Sequence, residues 1–206
     1  MRAAALWLGM CAAAAAQPVS WGFRAGVPLT EAFSAASGLR VSYLAASQRW
    51  VAGPTLELNL PFRTSISIDA LYRRVRYDST APGEAATTSA NRWEFPMLVK
   101  HRVSGGVARP YLAAGAMIHR LSNVKQVVTC IPLVTGCGGI GGNPFDLTRR
   151  TAAGVVVAGG IELRLPFLRL SPEIRYTRLG AESVRDPTGL LRTIRNQAEF
   201  IVGVTF

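Results

Sequence analysis

Residues 196–206 read Asn-Gln-Ala-Glu-Phe-Ile-Val-Gly-Val-Thr-Phe. Counting back from Phe206 in steps of two gives Val204, Val202, Phe200 and Ala198, all apolar. The other parity runs Thr205, Gly203, Ile201, Glu199 and Gln197, mostly small or polar. Side chains alternate faces along a strand, so this stretch is expected to be a strand with one apolar and one mixed face. A soluble sandwich also ends on such a strand, so the rest of the chain decides.

Working back through the chain, the same alternation recurs in residues 21–27, 50–60, 65–77, 91–103, 109–121, 150–165 and 169–179. Phe23, Ala25 and Val27 oppose Gly22, Arg24 and Gly26. Trp93, Phe95, Met97 and Val99 oppose Glu94, Pro96, Leu98 and Lys100. Ile174 and Tyr176 oppose Glu173 and Arg175. The links then fall into two kinds. Residues 61–64, 104–107 and 166–168 read as tight turns, with Gly105-Gly106 suited to the positive φ of a hairpin. Residues 28–49, 78–90, 122–149 and 180–195 read as long loops, the first with room for a helical turn at 31–36. Alternating short and long links put all long loops at one end and both chain ends at the other. The expected architecture is all-β: an eight-stranded antiparallel up-and-down transmembrane barrel with short periplasmic turns and long extracellular loops.

The acids test which face points inward. Glu57, Asp69, Glu94, Glu162, Glu173 and Glu199 lie in the strands, and all share the parity opposite the apolar stripe. Carboxylates are costly in hydrocarbon, so this parity faces the lumen. Arg24, Arg73, Lys100, Arg164 and Arg175 share it. Eight strands leave an interior just wide enough for side chains. The expectation is therefore a lumen plugged by ion pairs, rather than the apolar interior of a lipocalin-like barrel.

Composition agrees with export and with an anionic partner. Residues 1–16 carry Arg2, an apolar run and Ala14-Ala15-Ala16, as a cleaved signal peptide does, leaving 17–206 as the barrel domain. Cys11 raises a lipoprotein alternative, but Met10 stands where a small residue belongs. No mature stretch is long and apolar enough for a membrane helix. The net charge is +11, and Lys100 and Lys125 are the only lysines among 23 basic residues. Arginine suits bidentate phosphate contacts. Arg74, Arg76, Arg120, Arg149, Arg150, Arg178 and Arg195 cluster at the expected outer strand ends, where they face lipopolysaccharide phosphates or form an ordinary solvated rim. They form no single patch with stacking aromatics, and an exported chain is not expected to meet nucleic acid. Trp50, Tyr72, Trp93 and Tyr176 fit an outer aromatic girdle, Trp21 and Phe206 an inner one.

Segments Gly53-Pro54-Thr55-Leu56-Glu57-Leu58, Arg92-Trp93-Glu94-Phe95-Pro96, Arg109-Pro110-Tyr111-Leu112-Ala113-Ala114-Gly115, Ser171-Pro172-Glu173-Ile174-Arg175-Tyr176 and the closing Phe206 carry a family resemblance. The chain from 21 to 206 resembles the small eight-stranded outer-membrane β-barrels of the OmpA/OmpX type. That resemblance implies passage with periplasmic chaperones and insertion by the barrel assembly machinery, with Phe206 in the assembly signal. It implies residence in the outer membrane among its lipids and lipopolysaccharide. It implies no single activity; a surface partner stays unknown.

Cys130 and Cys137 flank a short glycine-rich loop in an exported chain, which points to a disulfide. Two thiols without a nearby histidine are too few for zinc, so no metal or cofactor is expected. Residues 136–142 lack the strand, helix and Lys-Ser/Thr of a phosphate loop and read as a loop tip. Catalysis on lipid A would need a nucleophile, a base and an orienting acid. His119, Ser122 and Glu162 are the candidates, but they lack the His-x-Ser spacing, and Glu162 is placed far from His119. No catalytic residue is assigned. The leading function is structural or surface-interacting, with a narrow channel for small solutes as the alternative.

Overall fold

The computed structural model describes residues 18–103, 106–130, 139–141 and 147–206. The first half of the chain forms β1 (Val19–Pro28), β2 (Phe33–Ala35), β3 (Ser42–Ala45), β4 (Val51–Asn59), β5 (Thr64–Asp69) and β6 (Leu71–Ala81). The second half forms β7 (Glu84–Arg102), β8 (Ala108–Cys130), β9 (Gly139–Gly141), β10 (Thr151–Arg164), β11 (Arg169–Leu179), β12 (Leu191–Thr193) and β13 (Asn196–Thr205). The wall runs β4, β1, β13, β11, β10, β8 and β7, then returns to β4 through β5 and β6. All pairings are antiparallel, and β1 against β13 closes an eight-stranded barrel. Closure leaves no open edge in the wall.

The expected third strand, 65–77, is a bent wall strand interrupted at Ala70, whose N–H donates to Pro54 O at 3.0 Å. Gly53 sits against the Ala70 backbone there, where a Cβ would collide with its carbonyl. The close approach needs glycine, and the strand kinks around it.

At the turn end, residues 60–63, 103–107 and 165–168 join wall strands directly. Ser104 and Gly105 of the expected Gly-Gly turn lie outside the described residues. At the loop end the expectation needs correction. Residues 78–90 are a hairpin, because β6 and β7 keep pairing from Leu71↔Glu94 out to Ala81↔Glu84. Only Pro82 and Gly83 turn the chain, with Gly83 at φ 84°. β8 likewise runs on to Cys130, pairing Glu84. The Ser, Thr and Ala content of 78–90 reads as loop composition, yet Tyr77, Ala86, Thr88 and Ala90 keep the alternation and are buried.

No helical turn forms at 31–36. Phe33–Ala35 instead pairs with Leu191–Thr193 in a two-stranded sheet that lies over the loop end. Phe33, Val75, Tyr77, Leu121, Val184 and Leu191 pack beneath it as an apolar roof. Phe33 and Tyr77 meet edge to face at 5.5 Å and 78°. Burial of that ring in a long-range contact outweighs a local helical preference.

Outward residues are apolar along every wall strand: Phe23, Leu56, Ile68, Met97, Leu112, Val157, Ile174 and Phe200 are all exposed. Trp50, Tyr72 and Trp93 form a continuous arc, with ring centroids 6.2 and 5.2 Å apart. Trp21 and Phe206 meet at 5.2 Å at the turn end. The barrel is thus the inverse of a soluble one, with its large apolar area outside.

Candidate functional site: the barrel interior and its rims

Charged side chains enter the interior from alternate positions of seven wall strands, all but β8. Arg24, Arg73, Arg92, Lys100, Arg102 and Arg175 are buried, as are Glu57, Asp69, Glu94, Glu162, Glu173 and Glu199. Six cations stand against six carboxylates, so the buried wall charges balance. Each must be paired, since a lone buried charge is costly.

The pairs fall in three groups along the barrel. Nearest the turn end, Lys100 Nζ lies 3.1 Å from Glu57 Oε2 and 3.7 Å from Glu162 Oε2. Arg102 Nε donates to Glu162 Oε2 at 2.9 Å, and its Nη2 pairs with Glu57 Oε1. Ser65 Oγ donates to Glu57 Oε1 at 2.6 Å, and Lys100 sits 4.5 Å over the Tyr111 ring. Midway, Arg24 and Arg175 share Asp69 and Glu173 in a four-membered cluster. Arg24 Nη1 lies 2.8 Å from Glu173 and 3.3 Å from Asp69; Arg175 Nη2 lies 2.6 Å from Glu173 and 2.8 Å from Asp69. Tyr111 donates to Glu173 at 2.7 Å and Thr55 to Asp69 at 2.6 Å. Toward the loop end, Glu94 lies 2.8 Å from Arg92 and 3.4 Å from Arg73, and Arg73 reaches Glu199 at 3.5 Å. Gln197 Oε1 accepts from both Arg73 and Arg92 at 3.1 and 2.9 Å.

Ten of the expected lumen residues, all but Arg164, meet in these groups. Arg164 ends β10 opposite Arg169 and is exposed, because the inward parity runs out past the barrel mouth there. Arg92 and Arg102 were missed, although they share the parity of Glu94 and Lys100 two residues away. The interior is also not wholly polar. Leu98, Met117, Val156, Ala158 and Leu179 face inward and pack with Tyr111 on the β7, β8 and β10 side.

Arg74, Arg76, Arg120, Arg149, Arg150, Arg178 and Arg195 are all exposed at the loop end. Arg76 is partly neutralised by Asp78 at 3.0 Å. Residues 1–16, the expected signal peptide, and Cys137 lie outside the described residues, so the expected disulfide does too; Cys130 ends β8. Within the expected glycine-rich tip, Gly139–Gly141 forms β9 against Gln126, Val127 and Val128 of β8.

The hydrogen-bond partner of His119 is neither Ser122 nor Glu162. His119 Nε2 lies 2.7 Å from Ser183 Oγ, on the segment that roofs the barrel. Glu94 faces His119 across β7 and β8, while Glu162 belongs to the turn-end group. Sequence distance hid the pair, since 64 residues separate its members. Both are buried under the roof, so the contact works as a fastening for that segment. Among the described residues no group of three His, Cys, Asp or Glu could hold a metal ion.

No family model and no curated relative matches this chain. Solved structures do resemble it. The outer membrane protein OprG from Pseudomonas aeruginosa aligns with a TM-score of 0.57 at 12% identity, over 91% of this chain and 92% of that one. Neisserial surface protein A (NspA) aligns with a TM-score of 0.48 at 13% identity, over 92% and 96%. At such identity the OprG likeness establishes the fold: an eight-stranded barrel of outer-membrane type.

Proposed function

We propose that this chain is an integral barrel of the bacterial outer membrane, structural or surface-interacting, with a filled interior. One observation carries the reading: a closed barrel whose outward face is apolar and aromatic while the buried charges of its wall strands balance six to six. Such a surface is at home in hydrocarbon and a liability in water. In this reading the turn end with Trp21 and Phe206 faces the periplasm, and the arginine-rich loop end faces the cell surface. Residues 1–16 serve export, the barrel assembly machinery takes up the last strand, and the loop-end guanidinium groups contact lipopolysaccharide phosphates. A Cys130–Cys137 disulfide would tie the loop that follows β8.

The structural reading is preferred over a channel because the three ion-pair groups cross the interior in succession and an apolar roof lies over them. It is preferred over catalysis because His119 and Ser183 are both buried. Two measurements test it. The protein should fractionate with outer membranes and migrate faster unheated than boiled; release into the soluble fraction without detergent sinks the membrane assignment. In planar bilayers it should give no large, stable conductance steps; their appearance sinks the filled interior.

A further inference from the structure

The loop-end girdle is not uniform around the barrel. Over β4, β6 and β7 its outward residues are the aromatic arc Trp50, Tyr72 and Trp93. Trp93 pairs with Arg120, and beyond that point the arc changes character. Over β8, β10 and β11 the outward residues at this level are Arg120 and Arg178, with Arg195 leading into β13. The ring-to-ring arc is confined to one side of the girdle, and on the other side Tyr176 stands among these arginines.

On the arginine-bearing side a groove of about 410 Å³ opens on the outer wall between β10 and β11. Ala153, Val155, Gly180, Arg178 and Arg195 line it, with Gly180 bonded to Ala153 on the loop side of the Val155–Arg178 pair. No carboxylate lines it. Val155 is opposite Arg178 in the ladder and 62% exposed. Arg195 is held in place by the backbone: its Nε donates to Leu179 O at 3.0 Å and its Nη2 to Gly180 O at 3.2 Å. These two bonds leave donors of its five-donor fork for an anion. Among the described residues no carboxylate pairs with Arg178. The groove therefore offers two unneutralised guanidinium groups, with exposed Val155 level with Arg178 and the outward apolar wall continuing toward the turn end through Val157. The complementary molecule carries an anion on top of a hydrocarbon chain.

We propose that this groove binds one lipopolysaccharide molecule, with a lipid A phosphate held between Arg178 and Arg195 beside Ala153 and an acyl chain running from Val155 toward Val157. The inference rests on the membrane placement proposed above, and it narrows the general rim contact to one place. Arginine forks grip phosphate in a fixed geometry, and small groove residues admit a ligand that larger side chains would exclude.

The test uses the full-length folded barrel in detergent, with native mass spectrometry counting bound diphosphoryl lipid A. Folding of every variant is checked by heat-modifiable migration. Losing two charge-assisted contacts should weaken binding by about tenfold or more in R178Q/R195Q. A153L, which fills the groove and leaves both charges in place, should weaken it as well. R74Q/R76Q, on the aromatic side, should bind like the parent, and lipid A stripped of phosphate should bind weakly to all. Parent-like binding by R178Q/R195Q overturns the groove, as does equal loss in R74Q/R76Q, which would mean diffuse rim charge. Equal competition by phosphatidylglycerol overturns the choice of lipid. A parent barrel that inserts normally yet binds no lipid A overturns both the groove and the broader rim reading, while leaving the membrane assignment standing.

Discussion

Arg24 on β1 and Glu173 on β11 meet inside the barrel at 2.8 Å, although 149 residues separate them in the chain. β13 lies between their strands in the wall. Their contact is part of a cluster in which two arginines share two carboxylates, so the members are not interchangeable. Removing Glu173 alone leaves Arg24 and Arg175 competing for Asp69 and strips Tyr111 of its acceptor. Glu173→Ala should cost about 3–5 kcal/mol, the usual penalty for leaving a buried charge uncompensated. Arg24→Ala with Glu173→Ala leaves Arg175 and Asp69 as a neutral pair, and should cost clearly less than the sum of the single changes. Urea unfolding in detergent or vesicles measures both. Strict additivity would show that the cluster does not act as a unit.

The exterior makes an opposite demand. Val157 is exposed midway along β10, between Ala114 and Tyr176 in the ladder. In hydrocarbon, Val157→Arg should cost about 2–4 kcal/mol or lower the assembled fraction. Leu39, in the connection between β2 and β3, is fully exposed at the loop end, and Leu39→Arg should be tolerated. Equal tolerance at both positions in a vesicle-refolding assay would remove the distinction between membrane wall and loop.

The turn at 60–63 carries visible backbone strain. Thr64 N–H donates to Pro61 O at 3.4 Å, while Phe62 and Arg63 both sit at positive φ, 60° and 59°. Two positive φ values match a type I′ hairpin turn, which favours Asn-Gly. Bulky side chains there cost about 1–2 kcal/mol each. Phe62→Asn with Arg63→Gly should therefore raise stability by about 1 kcal/mol or more, less the loss of the Arg63 bond to Val103 O at 3.2 Å. A lower urea midpoint in the double variant would show that those side chains contribute more than their backbone costs.

The wall of this barrel was readable from alternation because each strand resolves locally into two faces. The six strand acids carried the inside-outside decision, since burying charge is costly whatever the strand order. Arg92 and Arg102 share the parity of Glu94 and Lys100 and are equally legible from it. The roof was not legible. Phe33 and Leu191 come from two separate links and Tyr77 from a wall strand, and no local period joins them. Residues 78–90 misled for a related reason. Their Ser and Thr content is common to loops and exposed strands, and only the pairing partner decides. Ser183 was invisible as the partner of His119 because the contact depends on where a distant segment folds back.

The roof should therefore be separable from the wall. Leu191 is fully buried among Phe33, Tyr77 and Val184, and Leu191→Ala should weaken docking of its segment by about 2–4 kcal/mol. The exposed Arg185 and Arg192 lie in that segment and supply trypsin sites. Cleavage there should accelerate while heat-modifiable migration persists. Unchanged cleavage would mean that the roof is held by something other than this apolar packing, and joint loss of migration would make roof and wall one cooperative unit.

Phe206 joins the end of β13 to β1. Its N–H donates to Trp21 O at 2.9 Å, and its ring lies 5.2 Å from the Trp21 ring. The pair sits where β1 and β13 close the barrel, so two roles are possible: stabilising the seam, or marking the strand for insertion. They predict different results. A purely stabilising ring contact is worth about 0.5–1.5 kcal/mol, and Trp21→Ala should then be as harmful as Phe206→Ala. An assembly mark makes the effects unequal. Deleting Phe206 should sharply lower the folded fraction in cells, while Trp21→Ala lowers it little and Phe206→Tyr restores it. Refolding into vesicles without cellular machinery should separate the variants by no more than the ring contact. Normal insertion of the shortened chain in cells would count against the terminal residue as an assembly signal and leave only its seam contact with Trp21.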